Sequence, residues 1–369
     1  MRILVLANFD VGLYNFRKEL LQRLIDEGNE VYISLPCGEK VDLLKEIGCK
    51  FIDTQLDRHG TNPFAELKLI RYYKNLMRRI KPDVVFSYTI KPNLYGGMAA
   101  AALSISYIVN ITGMGTVFEK GGVIKNIVMT LYRFALRKAK CIFVQNRRIL
   151  DFFKENHLQA DRLRLIPGSG VNTNIFEVLP YPDNREINML FVGRLMKDKG
   201  IDEYLEAAEV IRDKYNMINF HICGFCEAEY ETKLNTLVES NAVVYHGNVS
   251  DVREIFKTSH CIIHPSYHEG MSNVLLEASA SGRPCLCSNI PGCKEIVDDG
   301  VTGFYFDPKS SKSIIEAVEK FLALSYEQRE KMGLNARKKV EKEFDRNIVV
   351  DAYMDEINKI KEKKNARSV

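Results

Sequence analysis

The strongest constraint on this chain is a repeated change of hydrophobic period. Short apolar runs rich in β-branched residues occur at 3–7, 31–35, 84–87, 107–111 and 141–145. Between them, at 14–27, 41–47, 64–80 and 123–138, apolar residues return every three or four positions. Runs of the first kind fit strands buried on both faces, and stretches of the second kind fit amphipathic helices. Gly28 and Pro82 stand where two of those helices would stop. Strict alternation of this kind means βαβ units, a parallel sheet, and helices on both of its faces.

The pattern lapses around 167–185, where Pro, Gly, Asn and charged residues gather, and then restarts. Strands are expected at 188–192, 219–223, 243–246, 261–264 and 284–288, with helices at 201–213, 230–239, 252–258, 272–280, 311–323 and 326–342. The chain of 369 residues is long enough for two domains that each bury a core. The expected fold is α/β: two doubly wound, Rossmann-like parallel-sheet domains facing a cleft, at 1–170 and 187–345. A linker at 171–186 joins them, and a charged helix at 346–369 is able to pack back on the first domain. Ligands of such sheets sit outside the carboxyl ends of the strands, so the loops that follow strands are where chemistry is sought.

Several classes drop out. Hydrophobic and charged contents of 46% and 27% argue against disorder and against a disulfide-stapled mini-protein. Nine cysteines, an odd number, follow an opening MRILVLANFD whose apolar run is too short for an export signal, so reduced thiols in the cytoplasm are expected. Residues 92–118 carry no charge, but their Pro, Gly, Ala and Ser content fits a small-residue helix, a strand and a glycine loop better than a membrane span. The turn after the first strand lacks G-x-G-x-x-G, and no P-loop occurs, which demotes nicotinamide and P-loop ATP chemistry. No Asp-x-Asp is present and the seven histidines show no metal spacing, so no metal is expected.

Three segments carry candidate chemistry. Gly12, at the first strand–helix turn, would let backbone approach a phosphate. The loop Gly193-Arg194-Leu195-Met196-Lys197-Asp198-Lys199-Gly200 places Arg194 just past a strand and Lys199 just before the next helix, a planar fork and a point charge suited to a diphosphate. In the third, Glu269 follows a strand and Glu277 lies eight residues on, bracketing Gly270, Met271, Ser272 and Asn273 at a helix start. Free N–H groups there favour an anion, while flanking carboxylates suit the hydroxyls of a ribose and a sugar.

These segments, with Pro291-Gly292…Glu295…Gly300…Gly303 and Pro167…Gly170-Val171-Asn172…Phe176, resemble the retaining glycosyltransferases of family four, which have the GT-B fold. In the first half, LYNFR at 13–17, SYTIKPN at 87–93 and ITGMGTVF at 111–118 resemble a narrower branch. That branch moves N-acetylgalactosamine or a related sugar (N-acetylgalactosaminyl or galacturonosyl transfer) onto undecaprenyl-diphosphate-linked acceptors in bacterial capsule and surface-polysaccharide assembly. The resemblance implies catalytic roles for Arg194 and Lys199 at the donor diphosphate and for Glu269 at the donor sugar. Glu277 would take the ribose hydroxyls, and Gly12, Gly193 and the N–H groups of Gly270 to Asn273 would meet sugar and phosphate. Backbone near Val249 would read the base. Many relatives carry a His where this chain has Thr112-Gly113, which leaves that polar contact to Asn110, Thr112 or His268. The implied co-substrate is a UDP-sugar, with no cofactor and no metal.

Other readings are a GT-B enzyme of different chemistry, such as a nucleotide-sugar 2-epimerase or a phosphorylase, and a non-catalytic nucleotide-sugar-binding protein. Nucleic acid is not an expected partner, since the basic residues lack interleaved stacking aromatics. Charge is uneven along the chain: residues 1–180 hold 26 Lys and Arg against 17 Asp and Glu. Much of the excess lies in 58–81 and 120–148, where Lys125, Arg133, Arg137 and Lys140 fall on one helical arc, with Ile127, Val128, Leu131, Phe134 and Ala135 opposite. Such helices predict a protein held peripherally on the anionic cytoplasmic face of the inner membrane, where a lipid-linked saccharide acceptor resides.

Overall fold

A computed structural model describes residues 1–55, 62–113, 122–249 and 251–366. The chain divides into two compact units, residues 1–169 with 347–369 and residues 170–346.

The first unit runs β1 (Arg2–Leu6), α1 (Asp10–Asp26), β2 (Glu30–Leu35), α2 (Val41–Glu46), β3 (Lys50–Asp53), α3 (Pro63–Ile80) and β4 (Val84–Tyr88). A π-helical turn at Pro92–Gly96 leads into α4 (Gly97–Ala102), followed by β5 (Ser106–Ile111), α5 (Gly122–Leu136), β6 (Cys141–Val144), α6 (Arg147–Glu155) and β7 (Leu163–Leu165). All the strands pair in parallel in the order β3-β2-β1-β4-β5-β6-β7, the doubly wound arrangement that the alternation predicts. The order reverses direction between β1 and β4, so the crevice outside their carboxyl ends is the switch point of this sheet.

One face of the sheet buries Ile3, Val5, Ile33 and Phe143 against Leu20, Leu24 and Leu44, and the other buries Leu4, Val85 and Ile142 against Tyr73, Leu76 and Tyr132. The last helix, which spans Arg346–Asn365, joins the first of these cores through Val349, Tyr353 and Ile357. Tyr353 lies 4.4 Å from the Phe143 ring. The uncharged stretch 92–118 supplies α4 and β5, and among the described residues no helix is long and apolar enough to cross a membrane.

α5 departs from the wheel drawn on its sequence. Met129, Tyr132, Ala135 and Leu136 turn inward, whereas Ile127 and Phe134 are 54% and 59% exposed and share the outer side with Arg133 and Arg137. Residues 114–121, which include Lys120 and much of ITGMGTVF, lie outside the described residues, as do 58–61 and the side chain of Lys125.

The second unit runs β8 (Ile187–Val192), α7 (Ile201–Lys214), β9 (Ile218–Cys223), α8 (Glu231–Glu239), β10 (Val244–Tyr245), α9 (Arg253–Phe256) and β11 (Cys261–His264). It continues through α10 (Asn273–Ala280), β12 (Cys285–Ser288), β13 (Gly303–Phe306), α11 (Ser311–Leu322) and α12 (Tyr326–Glu343). Its sheet is again parallel, in the order β10-β9-β8-β11-β12-β13, with its switch point between β8 and β11.

Residues 171–186 are not a free linker: they belong to this unit. Their composition bars regular structure, but their backbone groups find partners in the fold. Arg283, fully buried, donates to the carbonyls of Leu179 and Pro180 at 3.1 and 2.8 Å. Arg337 donates to the carbonyl of Thr173 at 3.1 Å, and the Tyr181 hydroxyl to that of His260 at 2.9 Å. A guanidinium carries several donors and no acceptor, so one Arg can satisfy a run of carbonyls that no ladder reaches. All nine cysteines are free thiols, and the seven at 49, 141, 223, 261, 285, 287 and 293 are buried.

Candidate functional site

The loops after β8 and β11 flank the switch point of the second sheet, and two glycines set how closely they approach. Gly200 has φ +71°, and a Cβ there would meet the Pro265 carbonyl at 2.1 Å. This seats the β8 loop on the β11 loop, and the Tyr267 N–H donates to the Asp198 carbonyl at 2.9 Å. Gly224 is packed so that a Cβ would stand 1.9 Å from the Gly193 carbonyl, so the loop after β9 presses on Gly193 from the other side. Only glycine fits such approaches.

Lys199 and Glu269, seventy positions apart, form an ion pair of 2.6 Å. The same carboxylate oxygen, Glu269 Oε1, lies 3.0 Å from His264 Nε2. Burial works against the charge of Glu269, but His264 and Lys199 outweigh it and hold the carboxyl down at about 2. Burial likewise opposes charge on His264, yet the Cys293 thiol and the Glu269 carboxylate beside it raise the imidazole to about 9. Ser272 caps α10 by accepting from the Leu275 N–H at 3.3 Å, and its hydroxyl lies 3.1 Å from the same His264 nitrogen. Behind this loop, Gly292 (φ +87°) leaves room where a Cβ would stand 2.8 Å from both the Glu269 and Gly270 carbonyls. The Gly292 carbonyl accepts from the Ser272 N–H at 3.0 Å.

Arg194 is 62% exposed, with its guanidinium 3.7 Å from Glu227. Glu277, in the second turn of α10, is pushed up to about 7 by burial, with Arg346 pulling the other way and Asp251 adding to the rise. Met271 is buried in the core, Asn273 begins α10, and Val249 packs beside Cys223 with its backbone facing that thiol. His268 is exposed, edge-on to Tyr267. Among the described residues, no three His, Cys, Asp or Glu side chains are placed to hold a metal ion.

In the first unit, Gly12 is the third residue of α1 rather than part of a loop, and a Cβ would sit 3.2 Å from the Phe9 ring. Asn110 is 1% exposed. Its amide donates to the Tyr353 hydroxyl at 2.7 Å and accepts from Gln145 at 3.1 Å. That side chain ties β5 to β6 and to the last helix, which corrects the expectation that it contacts sugar. Thr112 is half-buried just past β5.

A profile for glycosyl transferases group 1 matches residues 172–339, and one for glycosyl transferase 4-like proteins matches residues 2–146. The chain is a glycosyltransferase, with a group 1 domain over 172–339 and a 4-like domain over 2–146. It is 25% identical to the N,N'-diacetylbacillosaminyl-diphospho-undecaprenol alpha-1,3-N-acetylgalactosaminyltransferase of Campylobacter jejuni, over 96% of this chain and 97% of that one. It is 28% identical to the UDP-Gal:alpha-D-GlcNAc-diphosphoundecaprenol alpha-1,3-galactosyltransferase of Escherichia coli, over 78% and 79%. A glycosyltransferase from Rickettsia africae superposes with a TM-score of 0.81 at 19% identity, covering 97% of this chain and 98% of that one. Anabaena HepE, solved with UDP and glucose, gives 0.77 at 15%, covering 97% and 99%. These likenesses carry the GT-B fold.

The transferase brings Lys199, Glu269 and Ser272 together, and it adds two residues to the expected set. Gly292 stands in the sequence within the Pro291-Gly292 motif that carries the resemblance, with no role of its own. His264 reads there as a histidine next to a proline. The available signal was its position, the last residue of a strand that opens onto the Glu269 loop.

Proposed function

We propose that this glycosyltransferase moves a hexosamine-type sugar, with retention at the anomeric carbon, from a UDP-sugar to a saccharide carried on a lipid diphosphate. The observation that carries this reading is the Arg194/Lys199/Glu269 group at the switch point of the second sheet. Lys199 and Glu269 pair at 2.6 Å and Arg194 stands on the same β8 loop as Lys199, so the loops after β8 and β11 carry two cations and a carboxylate suited to a sugar diphosphate. The named acceptors of the Campylobacter jejuni and Escherichia coli relatives, both diphospho-undecaprenol saccharides, support the acceptor class.

In this reading the bond from the anomeric carbon to the diphosphate oxygen breaks, and the acceptor hydroxyl oxygen bonds to that carbon from the same face. Its proton passes to the departing diphosphate. Arg194 and Lys199 bind the diphosphate and stabilise the charge that grows on it as it leaves. They supply the charge that a divalent cation would otherwise bring, so the reaction is proposed to run without a metal or other cofactor. Glu269 orients the donor sugar by accepting from its hydroxyls, Glu277 takes the ribose, and Asn273 offers its N–H from the start of α10. Gly193, Val249, Gly270 and Met271 shape the backbone around the donor.

The acceptor's lipid places the enzyme at an anionic membrane surface. Outward-facing Ile127 and Phe134 on α5, with Phe64 (82% exposed) and Leu67 (63%) on α3, stand among basic residues on the same side of the first sheet, which supports such contact. The test is transfer from a panel of UDP-sugars to a synthetic polyprenyl-diphosphate monosaccharide in the presence of EDTA, with the product's anomeric configuration read by NMR. An α-linked product from an α-linked donor bears out the reading. Inversion, or dependence on a divalent ion, overturns it.

A further inference from the structure

His264 is the last residue of β11, paired in register with Cys287 of β12, and its side chain is 4% exposed. The sheet therefore fixes its ring. Its Nε2 lies 3.0 Å from Glu269 Oε1 and 3.1 Å from Ser272 Oγ. A carboxylate only accepts, so a bare nitrogen lone pair at 3.0 Å from it would be repelled; Nε2 must carry the hydrogen. The charged and titratable groups facing the ring are Glu269 from its own loop, Lys199 from the β8 loop, joined to Glu269 at 2.6 Å, and Cys293, with Cys287 behind it.

Lys199 has two demands on it. It holds Glu269 here, yet the proposed reaction needs it at the leaving diphosphate. Drawing it toward phosphate removes one of the two donors that satisfy the Glu269 carboxylate. A mostly buried carboxylate left without donors is costly and would reorient or take up a proton. The hydrogen on His264 Nε2 remains in place through that exchange, because the strand that carries the ring cannot follow the ligand.

We propose that His264 is a positioning residue for sugar transfer: it keeps Glu269 charged and aimed, and Ser272 capping α10, when Lys199 turns to the diphosphate. This rests on the reading of Lys199 and Glu269 at the donor.

The test compares His264→Leu, which removes the donor, with His264→Gln, whose amide can place an N–H where Nε2–H stands. Both are measured for kcat and donor KM, in the wild-type and Glu269→Gln backgrounds. The Leu variant should lose about 10- to 100-fold in kcat, the range for losing a partner that orients a functional side chain, with donor KM within about threefold. His264→Gln should recover to within about fivefold of wild type. Because His264 acts through Glu269, adding His264→Leu to Glu269→Gln should cost less than about twofold more.

Should the Leu variant not fold, His264→Asn takes its place, since its amide stays in the pocket but falls short of Glu269. Equal losses in both backgrounds, or no rescue by Gln, would mean that the ring only fills space and would overturn the proposal. Wild-type kcat in the Leu variant would overturn it too. If Glu269→Gln alone turns over like wild type, the placement of Glu269 at the donor sugar fails, and that result is separable from the others.

Discussion

Glu277 makes the proposed donor site sensitive to pH in a direction that can be worked out. Its carboxyl sits at about 7 in the folded protein because burial penalises the anion, against an ordinary value of about 4.3. The folded value is raised, so the neutral acid contributes stability that is fully present below about pH 4 and is lost as pH rises through 7. A ribose whose hydroxyls donate to this side chain favours the anion. Binding a nucleotide sugar therefore has to strip the proton wherever it is still present.

For a group at about 7, the anionic fraction is about one in eleven at pH 6 and ten in eleven at pH 8, so donor affinity should rise about tenfold across that interval. At pH 7 about half a proton per donor bound should be released. A UDP-sugar is the right probe, since its diphosphate carries no group that titrates in this range. Isothermal titration in two buffers of different ionisation heat gives the proton count, and repeating it at pH 6 and 8 gives the affinities. Glu277→Gln should bind more weakly at pH 8 and lose both the proton release and most of the slope. Affinity that is flat from pH 6 to 8 in the wild type, with no proton released, would refute the placement of Glu277 at the ribose.

Arg194→Ala and Lys199→Ala should each lower kcat by about 10²-fold, with the double variant less than additive because both act on one diphosphate; turnover at the wild-type level in Arg194→Ala would remove it from the site. Gly292→Ala should destabilise the protein by about 1–3 kcal/mol and lower kcat, since its Cβ would press on the Glu269 and Gly270 carbonyls and φ is +87°; an unchanged melting temperature and rate would show that the loop yields freely. Replacing Ile127 and Phe134 together by Ser should weaken co-sedimentation with anionic liposomes, and reversing Arg133 and Arg137 to Glu should weaken it further and remove its salt dependence; equal binding to neutral and anionic vesicles would mean that α5 faces water.

Much of the fold was legible because both hydrophobic periods are strong in this chain. Strands such as Val84–Tyr88 are buried at every position and stand out from the amphipathic helices beside them. The strands that the pattern missed are those it could not mark. Lys50–Asp53 is exposed at both ends, Leu163–Leu165 is only three residues long, and Gly303–Phe306 opens on a glycine packed against the Cys285 carbonyl. Residues 171–186 misled for another reason: Pro and Asn describe what a backbone cannot form, whereas the arginines that hold it in place are up to 164 positions away. The acids and cations of the site were visible as residue types at strand ends. Their pairing was not, because Lys199 and Glu269 meet only through the seating of one loop on the other at Gly200 and Pro265. Asn110 failed as a sugar contact because its partner Tyr353 arrives from a helix 243 residues away, a distance over which local pattern carries no information.

The two sheets share one order over six strands, the first adding a seventh at its edge, and each has its switch point between its first and fourth strands, yet they are furnished differently. After β8 and β11 come Arg194, Lys199 and Glu269. After β1 comes Phe9, 41% exposed, and then Asp10, an acid whose carboxylate is taken up by the Lys40 N–H at 2.7 Å and closed over by Gly38. After β4, Thr89 holds φ +70°, a strained region for a β-branched residue. Two residues on, Lys91 pairs with Glu66 at 2.7 Å. A diphosphate brought to the β1 loop would meet a buried carboxylate first, whereas at the β8 loop it meets a half-solvated guanidinium. Topology fixes where a ligand can sit in each sheet, and the residues on the loops decide which ligand. By that argument the second sheet's switch point suits the proposed anionic donor, and the first sheet's, with its cation already neutralised, suits an uncharged sugar better than a phosphate.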